Sequence, residues 1–309
     1  MLPGGRFCKL ESRYLEGLNR MSTVSICIPT YNRKDYLRQT LDSVFAQSYK
    51  DYEVVVVDDG STDGTGDMIK DAGYDVRYHR QENQGEPATC NRLIQLAKGP
   101  YISFIHSDDL LVPDAIERMV SAVEAEPENV VVYGNYLRID EDGNLCGRSK
   151  RKLYSGYITK YLFEDIIVHP NGSMFPKKAL EEAGGFDATL RACYDYKLEL
   201  QISLKYRFIA LSEPTFQRRR HSMNTSRDSF ANHKAELDML TDFYYHGGGK
   251  EVIPRRMAMK RLSRESYRAG RWAIKEGLYE QARQLFRRSW QEYPNLKSLI
   301  HWTRAVIAK

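Results

Sequence analysis

The chain has 309 residues, 42% hydrophobic and 28% charged, the proportions of a globular protein able to bury a substantial core. Its longest apolar runs, such as Val54 to Val57, fall far short of the roughly 20 residues that span a bilayer, so no membrane-crossing helix is expected. The net charge of +5 is uneven: residues 251–309 carry 14 Lys or Arg against 5 Asp or Glu, a balance of +9 that leaves −4 for the remainder and implies two functional regions.

Residues 1–21 lack the apolar stretch of a secretory signal and read as a leader outside the fold, with Met21 just before the first patterned strand. The region from 24 to 134 alternates short apolar runs with amphipathic stretches: Val24–Ile28, helix-like 35–47, Val54–Val57, helix-like 63–72, Val76–His79, helix-like 87–98, Tyr101–Ile105, helix-like 113–124 and Val130–Tyr133. This is a β/α alternation, which predicts a Rossmann-like, mainly parallel central sheet with helices on both faces. Ligands of such sheets collect beyond the carboxyl ends of the strands. The pattern loosens after Asn135, and a helix is predicted from about Tyr194 to Leu204. A catalytic domain over 22–230 is followed by an α-helical extension over 231–309, with Gly247-Gly248-Gly249 as the expected linker. Within the extension, Gly277 to Phe286 followed by Tyr293-Pro294 looks like half of a tetratricopeptide-type pair in a single copy. The five cysteines are scattered and odd in number, which suggests neither a disulfide framework nor a zinc site and fits a reducing cytoplasm.

Two acidic clusters fall at strand ends. The second strand runs into Asp58-Asp59-Gly60-Ser61-Thr62-Asp63 and the fourth into His106-Ser107-Asp108-Asp109. Asp63 suits the cap of the helix that follows. Four carboxylates on one sheet edge would repel one another, and a hard divalent cation, Mn²⁺ or Mg²⁺, relieves that cost and bridges diphosphate oxygens. The glycines from Gly60 to Gly66 form neither a Gly-Lys-Ser/Thr phosphate loop nor a G-x-G-x-x-G fingerprint, so the NTPase and dinucleotide readings fail.

Taken together, the ordered motifs resemble the glycosyltransferase family 2 enzymes of the GT-A fold. They are Ile28-Pro29-Thr30-Tyr31-Asn32-Arg33, Asp58-Asp59-Gly60-Ser61, Asn83-Gln84-Gly85, Ala88-Thr89-Cys90-Asn91, Ser107-Asp108-Asp109, Gly184-Gly185-Phe186-Asp187, Tyr194-Asp195 and Arg219-Arg220-His221, and the resemblance covers roughly residues 22–230. It implies an inverting transfer of a sugar from a nucleotide-diphosphate donor, a UDP- or dTDP-sugar, to a saccharide or lipid-linked acceptor, as in cell-surface polysaccharide assembly. It implies that Pro29, Thr30, Tyr31, Arg33, Asp58, Asp59, Asn83, Gly85, Asn91, Asp108 and Arg219 bind the donor, that Asp109 and His221 (followed by Ser226) hold the metal or diphosphate, and that Asp195 is the general base.

The chemistry agrees with those roles. Inverting transfer needs a carboxylate to take the acceptor proton and a Lewis acid for the leaving diphosphate. Asp195 opens a predicted helix, whose dipole is expected to hold its pKa down. Arg218, Arg219 and Arg220 repel one another unless an anion such as a diphosphate lies near. Two positions depart from the family pattern: His106 where an acidic residue is common, and Tyr194 in place of the Glu that commonly precedes the base. A sugar-phosphate nucleotidyltransferase and a non-catalytic nucleotide-sugar or glycan binder are the competing readings. Nucleic acid is not expected as a partner. The basic extension, with Trp272, Trp290 and Trp302, is expected to pack on the catalytic domain, on a second copy, or peripherally on the inner face of a membrane.

Overall fold

The computed structural model describes residues 24–221 and 229–307, with side chains to residue 302; the expectations for a leader over 1–21 and for Ser226 lie outside the described residues. Strand β1 (Val24–Thr30) is buried along its whole length, which is why its sequence is mostly apolar, with Ser25 and Thr30 as its buried polar residues. It pairs in parallel with β2 (Tyr52–Asp58) and β4 (Tyr101–Phe104), and β2 pairs in parallel with β3 (Arg77–Arg80). Helices α1 (Lys34–Phe45), α2 (Thr65–Ala72) and α3 (Glu86–Leu96) are the crossovers between them, as the alternation predicts.

Past β4 the sheet becomes mixed. Strand β5 (Leu110–Leu111) leads into α4 (Ala115–Glu124) and then β6 (Val130–Ile139), which pairs in parallel with β9 (Arg207–Arg219). Antiparallel pairings bring in β7 (Leu145–Arg148) on β6, β8 (Met174–Pro176) between β4 and β6, and β5 on β9. The nine-stranded order is β3-β2-β1-β4-β8-β6-β9-β5, with β7 branching from β6. The mainly parallel expectation therefore holds for the first four strands and for β6 with β9. The strands that break it are two to four residues long, too short to carry a periodic signal.

Strand alternation divides the core between two faces. Val24, Ile26, Ile28, Val54 and Val56 pack with Leu37, Leu41 and Val44 of α1 and Ile116 and Met119 of α4. Cys27, Val55 and Val57 point the other way, onto Leu93 and Ile94 of α3.

That second core continues without a break into the C-terminal helices. Leu162 and Phe163 of α5 (Thr159–Glu164), Leu180 of α6 (Lys177–Glu182) and Leu198 of α7 (Tyr194–Ser203) share it with Leu237, Leu240 and Phe243 of α8 (Phe230–Tyr245). Ser229 caps α8 through a hydrogen bond from the Asn232 amide. A short α9 (Gly249–Val252) precedes α10 (Arg255–Lys275), α11 (Tyr279–Glu292) and α12 (Leu296–Ile307). Buried Arg261 of α10 pairs with Glu236 of α8 at 2.6 Å and with Glu265 at 2.5 Å, closing the α8–α10 contact with a compensated charge.

The expected triglycine linker is corrected by this packing. Gly247 and Gly248 make a tight turn between α8 and α9 and Gly249 opens α9, and a Cβ on Gly247 would stand 2.9 Å from the Phe243 Cα. Nor do the tail tryptophans project as free anchors: all three are half-buried, and Trp272 stacks on His233 with a centroid separation of 5.8 Å. No helix of the described residues is long and apolar enough to cross a membrane.

Candidate active site

The carboxyl ends of β1 and β2 interlock through their loops. Asp59 donates its amide to the Thr30 carbonyl, Asn32 donates its amide to the Ser61 hydroxyl, and the Thr62 amide reaches the Asn32 side-chain oxygen at 2.8 Å. Asn32 sits at φ +50°, a conformation in which asparagine is one of the better-tolerated residues. The expected cap is corrected by one residue: Gly64 is the N-cap of α2, and Asp63 before it accepts from the Lys34 amide and from the Thr65 amide and hydroxyl, tying the starts of α1 and α2 together.

Asp58 and Asp59 are buried and occupied by the protein itself. Asp58 accepts from the Ser61 amide at 2.8 Å and the Tyr78 hydroxyl at 2.6 Å. Asp59 accepts from the Gln81 side chain and from the Gln84 and Gly85 amides, drawing the Asn83-Gln84-Gly85 loop over the β2 end. Gly85, at φ +89°, can make that turn where a Cβ would be strained. Thr30, Tyr31, Asp58, Asp59, Asn83 and Gly85 therefore form one rim. On it the Tyr31 ring is half exposed, and the buried Thr30 Oγ1 finds no hydrogen-bond partner among the described residues.

The second pair stands in a different setting. Asp108 meets Arg33 Nη1 at 2.8 Å and His221 Nε2 at 2.9 Å. Asp109 accepts from the Asn171 amide group at 2.6 Å and from the Arg219 backbone amide at 2.9 Å. Both line an open cleft with Arg33, His106, Asp195 and Arg218. Burial, reinforced by Asp108, pushes the Asp109 carboxyl up to about 7 despite the opposing pull of His106 and the Arg219 amide. Two adjacent carboxylates that resist ionising together are suited to a hard cation, and the ligand atoms of His106, Asp108 and Asp109 lie within 4.8 Å of one another. His221 joins this group through Asp108, whereas the sequence reading pairs it with Asp109.

Across the cleft, His106 Nε2 contacts Glu86 at 2.9 Å. Burial disfavours the imidazolium, but Glu86 and then Asp108 and Asp109 outweigh it, and the pKa rises to about 9. Burial likewise opposes ionisation of Glu86, yet His106 and the Tyr194 hydroxyl bring its carboxyl down to about 2. The rise favours the imidazolium at the position that departs from the family pattern, and a protonated ring cannot ligate, which leaves Asp108 and Asp109 as the groups suited to a cation. Asp195 follows Cys193, whose φ of +60° is rare for a residue with a side chain, and sits in the first turn of α7. The expectation of a lowered Asp195 pKa is corrected: burial raises it, Glu86 adds to the rise, and the Tyr196 amide and His106 only partly offset it.

Two predicted donor contacts have other work. Asn91 both donates to and accepts from the Phe186 backbone at 2.8 Å, and Gly185 lacks the Cβ that would stand 2.5 Å from the Asn91 oxygen. This pairing explains why the two motifs occur together. The Arg219 side chain is 1% exposed and donates to the carbonyls of Asp108, Asp140 and Glu141 and to Gln39. Its place in the cleft is taken by Arg218, one residue earlier on the opposite face of β9. Sequence reading also missed Glu86, His169 and Asn171 as cleft residues; Glu86 directly follows the Asn83-Gln84-Gly85 motif, but His169 and Asn171 lie in an irregular loop with no periodic signal.

A family model described as Glycosyl transferase family 2 matches residues 25–184. Chondroitin synthase from Escherichia coli is 32% identical over 221 residues, covering 71% of this chain and 31% of that protein. The chain spans at most 38% of the length of the first relatives it matches. Among solved structures, S. aureus TarS 1-349 in complex with UDP-GlcNAc superposes with a TM-score of 0.66 at 15% identity, covering 93% of this chain and 91% of that one. The mannosyltransferase PcManGT from Pyrobaculum calidifontis, in complex with GDP-Man and Mn²⁺, gives a TM-score of 0.53 at 20% identity over 94% and 77% of the two chains. The sheet order and these neighbours give the chain a GT-A-type α/β fold.

Proposed function

The chain belongs to glycosyl transferase family 2, and from that premise we propose that it moves a sugar, with inversion, from a UDP- or dTDP-sugar to a hydroxyl of a saccharide or lipid-linked acceptor in polysaccharide assembly. The observation that carries this reading is the meeting in one cleft of a cation-ringed carboxylate pair, Asp108 and Asp109, with a separate carboxylate of raised pKa, Asp195. The bound donors in the TarS and PcManGT structures support a nucleotide-sugar partner, and the Mn²⁺ of the latter supports a divalent cation.

In this reading the nucleoside lies on the rim of Thr30, Tyr31 and Asp59, where the partnerless Thr30 hydroxyl receives a hydrogen bond or donates one. Arg33 and Arg218 hold the diphosphate by charge and hydrogen bonding. Asp109, with Asp108 beside it, would hold Mn²⁺ or Mg²⁺, and His221 orients Asp108. When bound, such a cation supplies Lewis-acid stabilisation of the leaving diphosphate. Asp195 accepts the proton of the acceptor hydroxyl as that oxygen forms its bond to the sugar carbon. Burial raises its pKa, which makes it a stronger proton acceptor once ionised.

A screen of nucleotide-diphosphate sugars by thermal shift with Mn²⁺, followed by assay of nucleoside-diphosphate release, tests the proposal. At least one donor should stabilise the protein and be slowly hydrolysed. A panel in which no donor binds or is hydrolysed would leave a non-catalytic homologue as the better reading.

A further inference from the structure

We propose that the acceptor is an anionic saccharide chain, carrying carboxylate or phosphate groups, that runs from the catalytic cleft onto a basic, tyrosine-lined groove formed by residues 148–161 and α10; this rests on the glycosyltransferase reading above. The sequence between Gly143 and Phe163 holds Arg148, Lys150, Arg151, Lys152 and Lys160 and no acidic residue. Within it, Tyr154 and Tyr161 stack face to face, with centroids 3.9 Å apart and planes 6° from parallel. Lys152 lies over the Tyr154 ring at 5.1 Å and Lys160 over the Tyr161 ring at 4.8 Å. The two tyrosines line a groove with Arg151, Lys152 and Arg264.

The groove and the cleft are neighbours, linked through one side-chain contact. Arg151 Nη1 stands 2.8 Å from His169 Nε2, and His169 lines the catalytic cleft. A guanidinium can only donate, and burial together with Arg151 and Arg218 drives the His169 pKa down, so the imidazole is neutral and accepts. Arg151 of the groove is thus held against His169 of the cleft wall.

The groove is also built in advance. The Tyr133 hydroxyl donates to the Tyr154 carbonyl at 2.8 Å and accepts from the Tyr154 amide at 2.9 Å. Asn135 donates to the Arg151 carbonyl, and Gly156 exchanges both backbone hydrogen bonds with Phe208 of β9. Arg264 comes from α10 and anchors on the Glu164 carbonyl, which gives the C-terminal helices a part in the groove.

Its chemistry selects a glycan over other polyanions. Cations suit carboxylate or phosphate groups, and the Tyr154 and Tyr161 faces, taken by each other and by Lys152 and Lys160, hold the two ammonium groups in place and leave the ring edges and hydroxyls to a sugar. Glu164 and Asp165, on the same rim, can accept from sugar hydroxyls but would repel an uninterrupted phosphate backbone. The groove walls come from the pinned loop, from Tyr161 and Glu164 of α5 and from Arg264 of α10.

The test is calorimetric titration of the full chain with an oligogalacturonate, a phosphorylated malto-oligosaccharide, a neutral malto-oligosaccharide of the same length, single-stranded DNA and anionic phosphatidylserine vesicles. At least one of the first two should bind at least about tenfold more tightly than the last three, and the preferred one identifies the anion. Lys152→Glu/Lys160→Glu and Tyr154→Ala/Tyr161→Ala should each weaken it by about tenfold or more, with nucleotide-sugar binding and hydrolysis unchanged. Binding of the neutral chain as tightly as the anionic ones, tighter binding of DNA or vesicles, or full affinity in both double variants would overturn the proposal. Donor binding without any anionic-glycan binding would defeat this inference alone, whereas loss of both would defeat the glycosyltransferase reading as well.

Discussion

Two Asp-Asp pairs occupy equivalent places, each at the end of a parallel strand on the same sheet edge, and the structure uses them differently. Asp58 and Asp59 accept five hydrogen bonds from Ser61, Tyr78, Gln81, Gln84 and Gly85, and so fold the loops around themselves. Asp108 and Asp109 are held by Arg33, His221, Asn171 and the Arg219 amide at the wall of an open cleft, where burial and then the repulsion from Asp108 raise Asp109 to about 7. A carboxylate pair saturated with amide donors builds a loop. A pair pressed together in a cleft is poised for a cation. The difference lies in what the neighbouring chain offers, which the dipeptide itself does not record.

The largest effect is expected opposite both pairs. Asp195→Asn should lower turnover by about 10²–10⁴-fold while leaving donor affinity nearly unchanged, because only the proton acceptor is lost. Wild-type turnover would remove Asp195 from the mechanism. Asp109→Ala should weaken metal-dependent donor binding by about a hundredfold or more, measured by calorimetry alongside the melting temperature to separate loss of ligation from loss of the Asn171 and Arg219 contacts.

A pH titration separates the pairs further. Asp109 is increasingly protonated below about 7, and protons then compete with the cation, so metal-dependent donor affinity should fall by up to about tenfold per unit on the acid side and level off above it. Without metal the sign reverses: a folded pKa above the unfolded value makes stability fall as pH rises through about 7. Donor affinity that is flat from pH 5.5 to 8 would break the contrast between the pairs, the range bracketing about 7. The smallest effect on function belongs to the first pair. Asp58→Ala should cost about 1–3 kcal/mol of stability, by leaving the Ser61 amide and Tyr78 hydroxyl without their acceptor, and should keep the metal dependence of whatever donor binding remains.

Much of this was legible in the sequence because it is periodic or ordered. The alternation from Val24 to Tyr133 predicts β1 to β4 and the crossover helices, and the strand-end rule directs attention to both acidic pairs. What escaped depends on contacts between distant segments. Strands β5, β7 and β8 are too short to read, and the shift in β6–β9 register between Gly134 and Tyr136 has no local signature. Whether Arg218 or Arg219 faces the cleft turns on strand parity at the end of β9, which three consecutive arginines conceal. The Asp195 pKa was read from a helix terminus alone, but burial beside Glu86 outweighs that terminus.

Titration of the best-stabilising nucleotide sugar into the full chain, once with Mn²⁺ and once with EDTA, tests the central claim most directly. Saturable binding that needs the metal and is lost in Asp109→Ala but kept in Asp58→Ala is the predicted result. Equal binding with Mn²⁺ and EDTA, insensitive to Asp109→Ala, would contradict it.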